Sequence, residues 1–409
     1  MRAGIGRNLP VLIGAALTVT GFLISPLYAE SELTNYLSRE KNLLFDYQEE
    51  YNRLQSALLR KSWISPVMLS YSERGDDHYP GSGKSRTFSV GIDQPIFKSG
   101  GIYYAIKFAD TQESANRTEI ELQRRQQIVQ AISILFDLKK NRLQQRQLRL
   151  QIRNDEIDIS RKREQYMAGV IDSSFLNQAI LQRNRDKTSL LVTELTRKNL
   201  YNAFSLLSDK NPDRLKTPHL KLIDREAYRR NNMELEVQRG RVDQYEYNSK
   251  MTWAKYLPTF SLNGTYYRTN DDPGSYAPPP GTKENYYQYG FRISMPLSVN
   301  APQDIEASRV AYLQQAVQLQ DDRRRVESEY QLVLDTIRII DKKIALARSD
   351  EKLYRELLRS TKEQAQAGEK TSLDVETMRN SMEMAGLDAR IYEIEKQIQL
   401  LKLYAKINR

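Results

Sequence analysis

The 409-residue chain has no cysteine and only two histidines. The first absence excludes a disulfide framework, a thiol nucleophile, thiolate metal sites and a lipid-carrying cysteine. The second leaves His78 and His219, far apart and each without a spaced carboxylate set, so no zinc site or histidine-based catalytic constellation can be assembled. No serine has the partners of a triad, and the expectation is no catalysis and no cofactor. Beyond the first 29 residues no apolar run approaches the ~18 residues that a membrane helix needs, so any membrane crossing must use strands. A large excess of one charge is also missing, with 62 Lys+Arg against 52 Asp+Glu. Because the two signs are interspersed along helical stretches, they read as solvated helix faces and not as a nucleic-acid surface.

What is present begins with Arg2 and Arg7, an apolar run from Val11 to Ile24, and "LYA" at 27–29. That layout predicts a cleavable signal peptide over residues 1–29 and export of the rest. Its removal takes the net charge from +10 to 10 − 2 = +8. The segment "HYPGSGKS", 78–85, imitates a phosphate-binding loop, but its first position is His78 where glycine is required. Its flanks read as two strands, not as strand and helix, which predicts an outer-mouth turn instead.

Two kinds of segment alternate. From about 101 to 209 and from about 302 to 409 the chain is rich in Gln, Arg, Glu, Leu and Ile, predicting long helices. Their apolar stripes are narrow, as in Ile128, Ala131, Ile132, Leu135 and Leu138, so each helix is expected to bury lateral seams with water on both sides. Before each long helix stands a pair of alternating segments. Val67, Leu69, Tyr71, Phe88, Val90, Ile92 and Ile96 oppose Ser70, Ser72, Thr87, Ser89 and Asp93. In the second pair Phe260, Leu262, Tyr266, Tyr289, Phe291, Ile293, Met295 and Leu297 oppose Thr259, Ser261, Asn263, Gln288, Arg292 and Ser294. Such a period of two fits a lipid-facing barrel strand, and also a half-buried soluble one. Trp63, Trp253, Tyr256, Tyr267, Tyr286 and Tyr287 at the strand ends favour the membrane, as interfacial aromatics.

The organisation is duplicated. Pro95 precedes Gly169 by 74 residues and Pro296 precedes Gly368 by 72, and "REQYMAGVIDSSFLNQA" matches "KEQAQAGEKTSLDVET" around the two glycines. Each glycine is read as the turn of a helical hairpin. The expected layout is a first repeat over 30–209 with a β-hairpin at 63–98, a linker over 210–232, and a second repeat over 233–409 with a β-hairpin at 256–299. Four strands have two open edges, which lipid does not tolerate, so other copies must close the sheet.

The segments "WISPVMLSYS", "VGIDQPIFKSGG", "YLPTFSLNGTYY", "FRISMPLSV" and the two glycine tips together resemble the TolC-type outer-membrane efflux channels, over nearly the whole mature chain. The resemblance implies a mainly α fold with a membrane β-barrel: a homotrimer whose subunits each give four strands to a 12-stranded barrel in outer-membrane lipid and their helices to a periplasmic tunnel. It implies an efflux or type I secretion duct, served by a periplasmic adaptor and an inner-membrane pump of RND or ABC type. By position, Ala168, Gly169, Ala367 and Gly368 match the adaptor-docking tips, Lys370 a gate cation and Asp374 a lumenal acid. Three positions depart from the pattern: Ala365 stands for the aromatic gate partner, and Phe175 and Thr377 for acids. Lys370 and Asp374 also fit an ordinary i,i+4 helix pair worth ~0.3 kcal/mol. A barrel-anchored trimeric adhesin is the alternative, but its strands would be consecutive at the C-terminus, whereas this chain ends in helix.

Overall fold

The computed structural model describes residues 36–76, 83–271, 281 and 283–408; the expected signal peptide and most of both strand-connecting loops lie outside the described residues. The chain runs α1 (Arg39–Arg60), β1 (Met68–Asp76), β2 (Gly83–Phe97), α2 (Gly101–Met167), α3 (Ser173–Ser205), α4 (Arg225–Arg230), α5 (Met233–Lys255), β3 (Thr259–Asp271), β4 (Asn285–Ser294), α6 (Ala301–Gln366) and α7 (Ser372–Tyr404). The two halves match element for element, with helices of 22, 67 and 33 residues in the first and 23, 66 and 33 in the second. At 1.5 Å per residue α2 is ~100 Å long, a little less than the 72- to 74-residue spacing suggests, because the β2–α2 and β4–α6 connections are non-helical. Among the described residues no helix is long and apolar enough to cross a membrane.

The four strands form one antiparallel sheet in the order β1-β2-β3-β4. Its register stacks Leu69, Val90, Tyr266 and Tyr287 in one row, and Ile92, Gly264 and Tyr289 in the next. Gln94, Leu262 and Phe291 follow, then Phe97, Phe260 and Ile293, all on one face. From Phe88 to Phe97 this face rises ~30 Å along a tilted strand, close to the ~25 Å apolar band of a bilayer. Its outer limit is charged, where Glu73 meets Lys84 at 3.6 Å and Arg86 at 3.5 Å. At its inner limit Gln94 is satisfied by backbone, donating to the Trp63 carbonyl at 3.1 Å and accepting from the Ser65 N–H at 2.9 Å. The opposite face is polar, with a Ser70–Ser89 hydroxyl bond of 2.7 Å and an Asp93–Arg292 ion pair of 3.0 Å.

Several expectations need correction here. Gly83, Lys84 and Ser85, the last three residues of the GSGKS stretch, belong to β2, and Gly81 and Ser82 lie outside the described residues. A register shift between Pro95 and Phe97 displaces Ile96 from the ladder and puts Phe97 opposite Phe260, which strict alternation cannot anticipate. Tyr267 and Tyr286 stack on each other at 5.1 Å on the polar face, one residue out of phase with Tyr266 and Tyr287. Tyr256 is the C-cap of α5 and donates to Asp304 at 2.7 Å. Val67 and Met295 lie just outside the ends of β1 and β4.

The helices pack side by side. Next to the sheet the order is α1, α2, α5, α6; at the far end it is α3, α2, α7, α6. Solid core is concentrated midway, where the 206–232 segment crosses the helices. There Phe45, Ile132, Leu235, Val326 and Leu403 are buried together and Tyr228 stacks on Tyr330 at 5.3 Å. The C-terminal residues are laced into this belt by Met233 N–H to the Lys406 carbonyl and Asn408 N–H to the Asn231 carbonyl, both 2.8 Å. Lys406 also reaches Glu234 at 3.0 Å and Glu329 at 2.6 Å. Nearer the sheet, α2 and α5 approach closely through small residues: a Cβ added at Gly240 would sit 2.9 Å from that of Ala115 and 3.3 Å from its backbone. Gly240→Leu should therefore force these helices apart at ~1–3 kcal/mol, read as a lower thermal midpoint by circular dichroism.

Two edges of this layer of helices have no partner among the described residues. On one side α1 exposes Leu44, Tyr47, Tyr51, Leu54 and Leu58, and α3 exposes Leu181, Leu191 and Leu195. On the other side α6 exposes Val310, Leu313 and Val317 and then Leu332, Ile339, Leu346 and Leu353 at intervals of seven. The heights match. Leu181, Leu191 and Leu206 stand 12, 22 and 37 residues beyond Gly169 (181 − 169 for the first), while Leu357, Leu346 and Leu332 stand 11, 22 and 36 before Gly368 (368 − 357 for the first).

Candidate functional site

The two helical hairpins end in the same backbone device. Gly169 and Gly368 adopt φ of 69° and 80°, the left-handed region that favours glycine. Around Gly169 the Val170 N–H donates to the Gln165 carbonyl (2.8 Å) and the Gly169 N–H to that of Tyr166 (3.0 Å). Around Gly368 the same pair runs from Glu369 to Gln364 (2.9 Å) and from Gly368 to Ala365 (3.2 Å). Each is a Schellman cap with Ala168 or Ala367 as the C-cap residue. The returning helices start three residues later, at caps supplied by Asp172 and Thr371.

Their surfaces differ. The first tip exposes Tyr166, Met167, Val170 and Phe175, whereas the second exposes Gln366, Glu369 and Lys370.

Lys370 and Asp374 are not an i,i+4 helix pair. Lys370 lies before the N-cap Thr371, outside α7, and Asp374 is the third residue of that helix. In a capping box Asp374 accepts from the Thr371 N–H at 2.9 Å while its own N–H donates to the Thr371 hydroxyl at 3.2 Å. Its carboxylate also accepts from Arg161 of α2 at 2.6 Å. The Thr371 hydrogen bonds first, then Arg161 and Lys370, hold this carboxyl below its usual range.

Arg161 begins a polar seam that joins the repeats. Arg153 of α2 makes a bidentate contact with Glu376 of α7 at 2.7 and 3.1 Å, holding that carboxyl low as well. Asn380 donates to Asn154 at 2.8 Å, Gln147 donates to Asp388 at 2.9 Å, and Arg146 pairs with Glu383. Within the second hairpin the seam is apolar instead, as Ile337, Ile340, Ile344, Ala347 and Leu358 show along α6, whereas in the first hairpin the buried Asn141 and Gln145 donate to the Thr193 carbonyl. The α2–α7 joint thus carries three exposed ion pairs and two amide hydrogen bonds, and the exposed pairs are individually weak. Sequence spacing did not reveal Arg146, Arg153 and Arg161, because their partners are more than 200 residues away.

A second ionisable group lies between α2 and α3. Asp155 is 8% exposed and its Oδ2 has no hydrogen-bond partner, while Oδ1 accepts from Gln151 at 3.0 Å. Burial, and then Asp186 across the hairpin, push its pKa up from 3.8 to about 6. The folded chain holds this proton better than the unfolded one, so the stability it brings is full below pH ~4 and lost as pH rises through ~6. Asp155→Asn should raise the thermal midpoint near pH 8, by ~1–3 kcal/mol of relieved burial, and leave it unchanged near pH 4. Equal shifts at both pH values would remove Asp155 from the titration.

No protein-family model matches the chain, and no curated protein matches it in sequence. Solved structures do. The outer membrane protein VceC of Vibrio cholerae superposes with a TM-score of 0.71 at 16% identity, over 93% of this chain and 96% of that one. The CmeC outer membrane channel of Campylobacter jejuni gives 0.73 at 14% identity, over 98% and 94%. The open state of the MtrE outer membrane channel of Neisseria gonorrhoeae gives 0.65 at 14% identity, over 92% and 88%. The chain therefore has the fold of these outer-membrane channels along nearly its whole length.

Proposed function

We propose that the chain is the subunit of a trimeric duct: three copies close one 12-stranded barrel in the outer membrane and one helical tunnel in the periplasm. An inner-membrane pump, joined by a periplasmic adaptor, drives substrates through it. The observation that carries this reading is a sheet with one apolar face and two open edges, standing on helices whose two free edges carry apolar residues at equal heights. Equal heights suit cyclic symmetry, in which every copy sits level with the next. Lipid demands closure of β1 and β4, and the long stripes on α1, α3 and α6 would be covered by the same step.

Conduction is passive in this reading, with the driving energy supplied by an RND or ABC pump and, in the second case, type I secretion as the process. The adaptor meets Ala168, Gly169, Ala367 and Gly368. The first tip supplies most of the apolar contact through Met167, Val170 and Phe175, while the polar second tip sets orientation. Detergent-purified particles should appear in negative stain as three-fold tubes ~100 Å long below a short barrel, and conduct in planar bilayers. A compact monomer that stays soluble without detergent would overturn the proposal.

A further inference from the structure

Beside α4, where the 206–232 segment crosses α6, a groove of about 1230 Å3 is lined by six arginines, at 225, 229, 230, 239, 323 and 324. Arg225 pairs with Glu327 and Arg323 bonds Gln320. Arg229, Arg230, Arg239 and Arg324 are exposed and bond no protein group among the described residues. The lining also holds Glu226, Glu327 and Asp335, the last paired with Arg338, so six arginines leave a balance of 6 − 3 = +3, and the planar forks of the four unbonded guanidiniums suit carboxylates.

The groove lies on the α6 edge, and Leu332 of the unpartnered α6 stripe belongs to its lining. At this level the stripe changes character. Between Val317 and Leu332 the apolar residues give way to Gln320, Arg324 and Ser328.

The opposite edge has a matching peculiarity. Asp46, Glu49 and Glu50 of α1 each pair with an arginine of their own chain. Among the described residues Glu40, in the first turn of α1, and Asp209, four residues past α3, form no ion pair, and Asp209 accepts from the Arg39 N–H at 3.1 Å. The two sites are tied together by Ser38 N–H to the Leu207 carbonyl at 2.8 Å. The end of α3 at Ser205 stands 205 − 169 = 36 residues above its tip and Arg324 stands 368 − 324 = 44 above the other, a difference of ~12 Å in helix rise that the four residues from 206 to 209 are long enough to span.

We infer that the arginine groove is the seat for the Glu40–Asp209 corner of a second copy of this chain, an ionic clasp at the belt between two apolar seams. The inference rests on the ring proposed above and adds the place where charge fixes its register. Apolar stripes repeating every seven residues can slip by a heptad, whereas a single unlike-charge contact penalises each slipped pairing.

The chain's lack of cysteine permits a direct test. A Glu40→Cys/Arg324→Cys variant, treated in detergent with a short bis-maleimide, should give covalently linked dimers and trimers on denaturing gels, and neither single variant should. In parallel, Arg323→Glu/Arg324→Glu should raise the subunit-exchange rate about tenfold at low salt, and Glu40→Arg/Asp209→Arg added to it should restore the wild-type rate. Absence of cross-links in particles that are oligomeric by native mass spectrometry overturns the clasp and leaves the ring standing. A monomeric wild-type protein fails the ring itself. If the charge-reversal variants do not fold, the cysteine pair, which introduces no charge, decides alone; unlinked oligomers still overturn the clasp.

Discussion

Ile92→Arg is expected to abolish assembly in the outer membrane, whereas Ser89→Arg, on the other face of the same strand, leaves it intact. Ile92 lies in the middle row of the apolar face, beside Gly264 and Tyr289. An arginine at the bilayer midplane costs ~2–4 kcal/mol, and the proposed barrel of three copies would carry the substitution three times, for a total of ~6–12 kcal/mol. That is comparable to the whole stability of an ordinary domain. Ser89 faces the polar side, where Ser70 and Tyr267 are its row neighbours, and an added guanidinium there can be hydrated. The readout is the heat-modifiable oligomer in outer-membrane fractions. Equal tolerance of both variants would mean that the sheet is a soluble one with two wet faces.

The contrast between those residues was legible in sequence because a strand's side chains alternate with no free parameter, so the pattern fixes the face. Legibility ended where the ladder is irregular: Phe97 takes its place opposite Phe260 through a displaced Ile96 that alternation would have put there. The glycine tips were readable for a similar reason, since a left-handed residue between two helical patterns has few alternatives to glycine. The i,i+4 helix-pair reading of Lys370 and Asp374 fails because that spacing implies a pair only if both residues are helical, and the cap at Thr371 falls between them. The arginines of the α2–α7 seam, the Asp155–Asp186 pair and the groove beside α4 depend on how distant helices cross. Periodicity gives each helix its buried face, but not the residue that it meets on its neighbour.

Arg153→Ala/Arg161→Ala should open the far end of the duct and raise its single-channel conductance in planar bilayers by up to about tenfold. The two arginines account for the Glu376 and Asp374 links of the polar seam between the repeats. Exposed ion pairs are individually weak, so losing both links moves the closed-to-open equilibrium by no more than about tenfold. Substitution on the arginine side is the cleaner experiment. Asp374→Ala would also destroy the capping box of α7 at ~1 kcal/mol and fray the tip itself. Lys370→Ala should change little, since Lys370 lies outside the helix and only adds to the field at Asp374. Because Asp374 and Glu376 are held below the usual carboxyl range, their links to Arg161 and Arg153 persist as pH falls and are lost only on passing below it. A conductance change between pH ~7 and ~5 must therefore come from elsewhere, and Asp155 is one group that burial pushes up into that window. Wild-type conductance in the double arginine variant, with its helix content intact by circular dichroism, would show that these links do not hold the entrance.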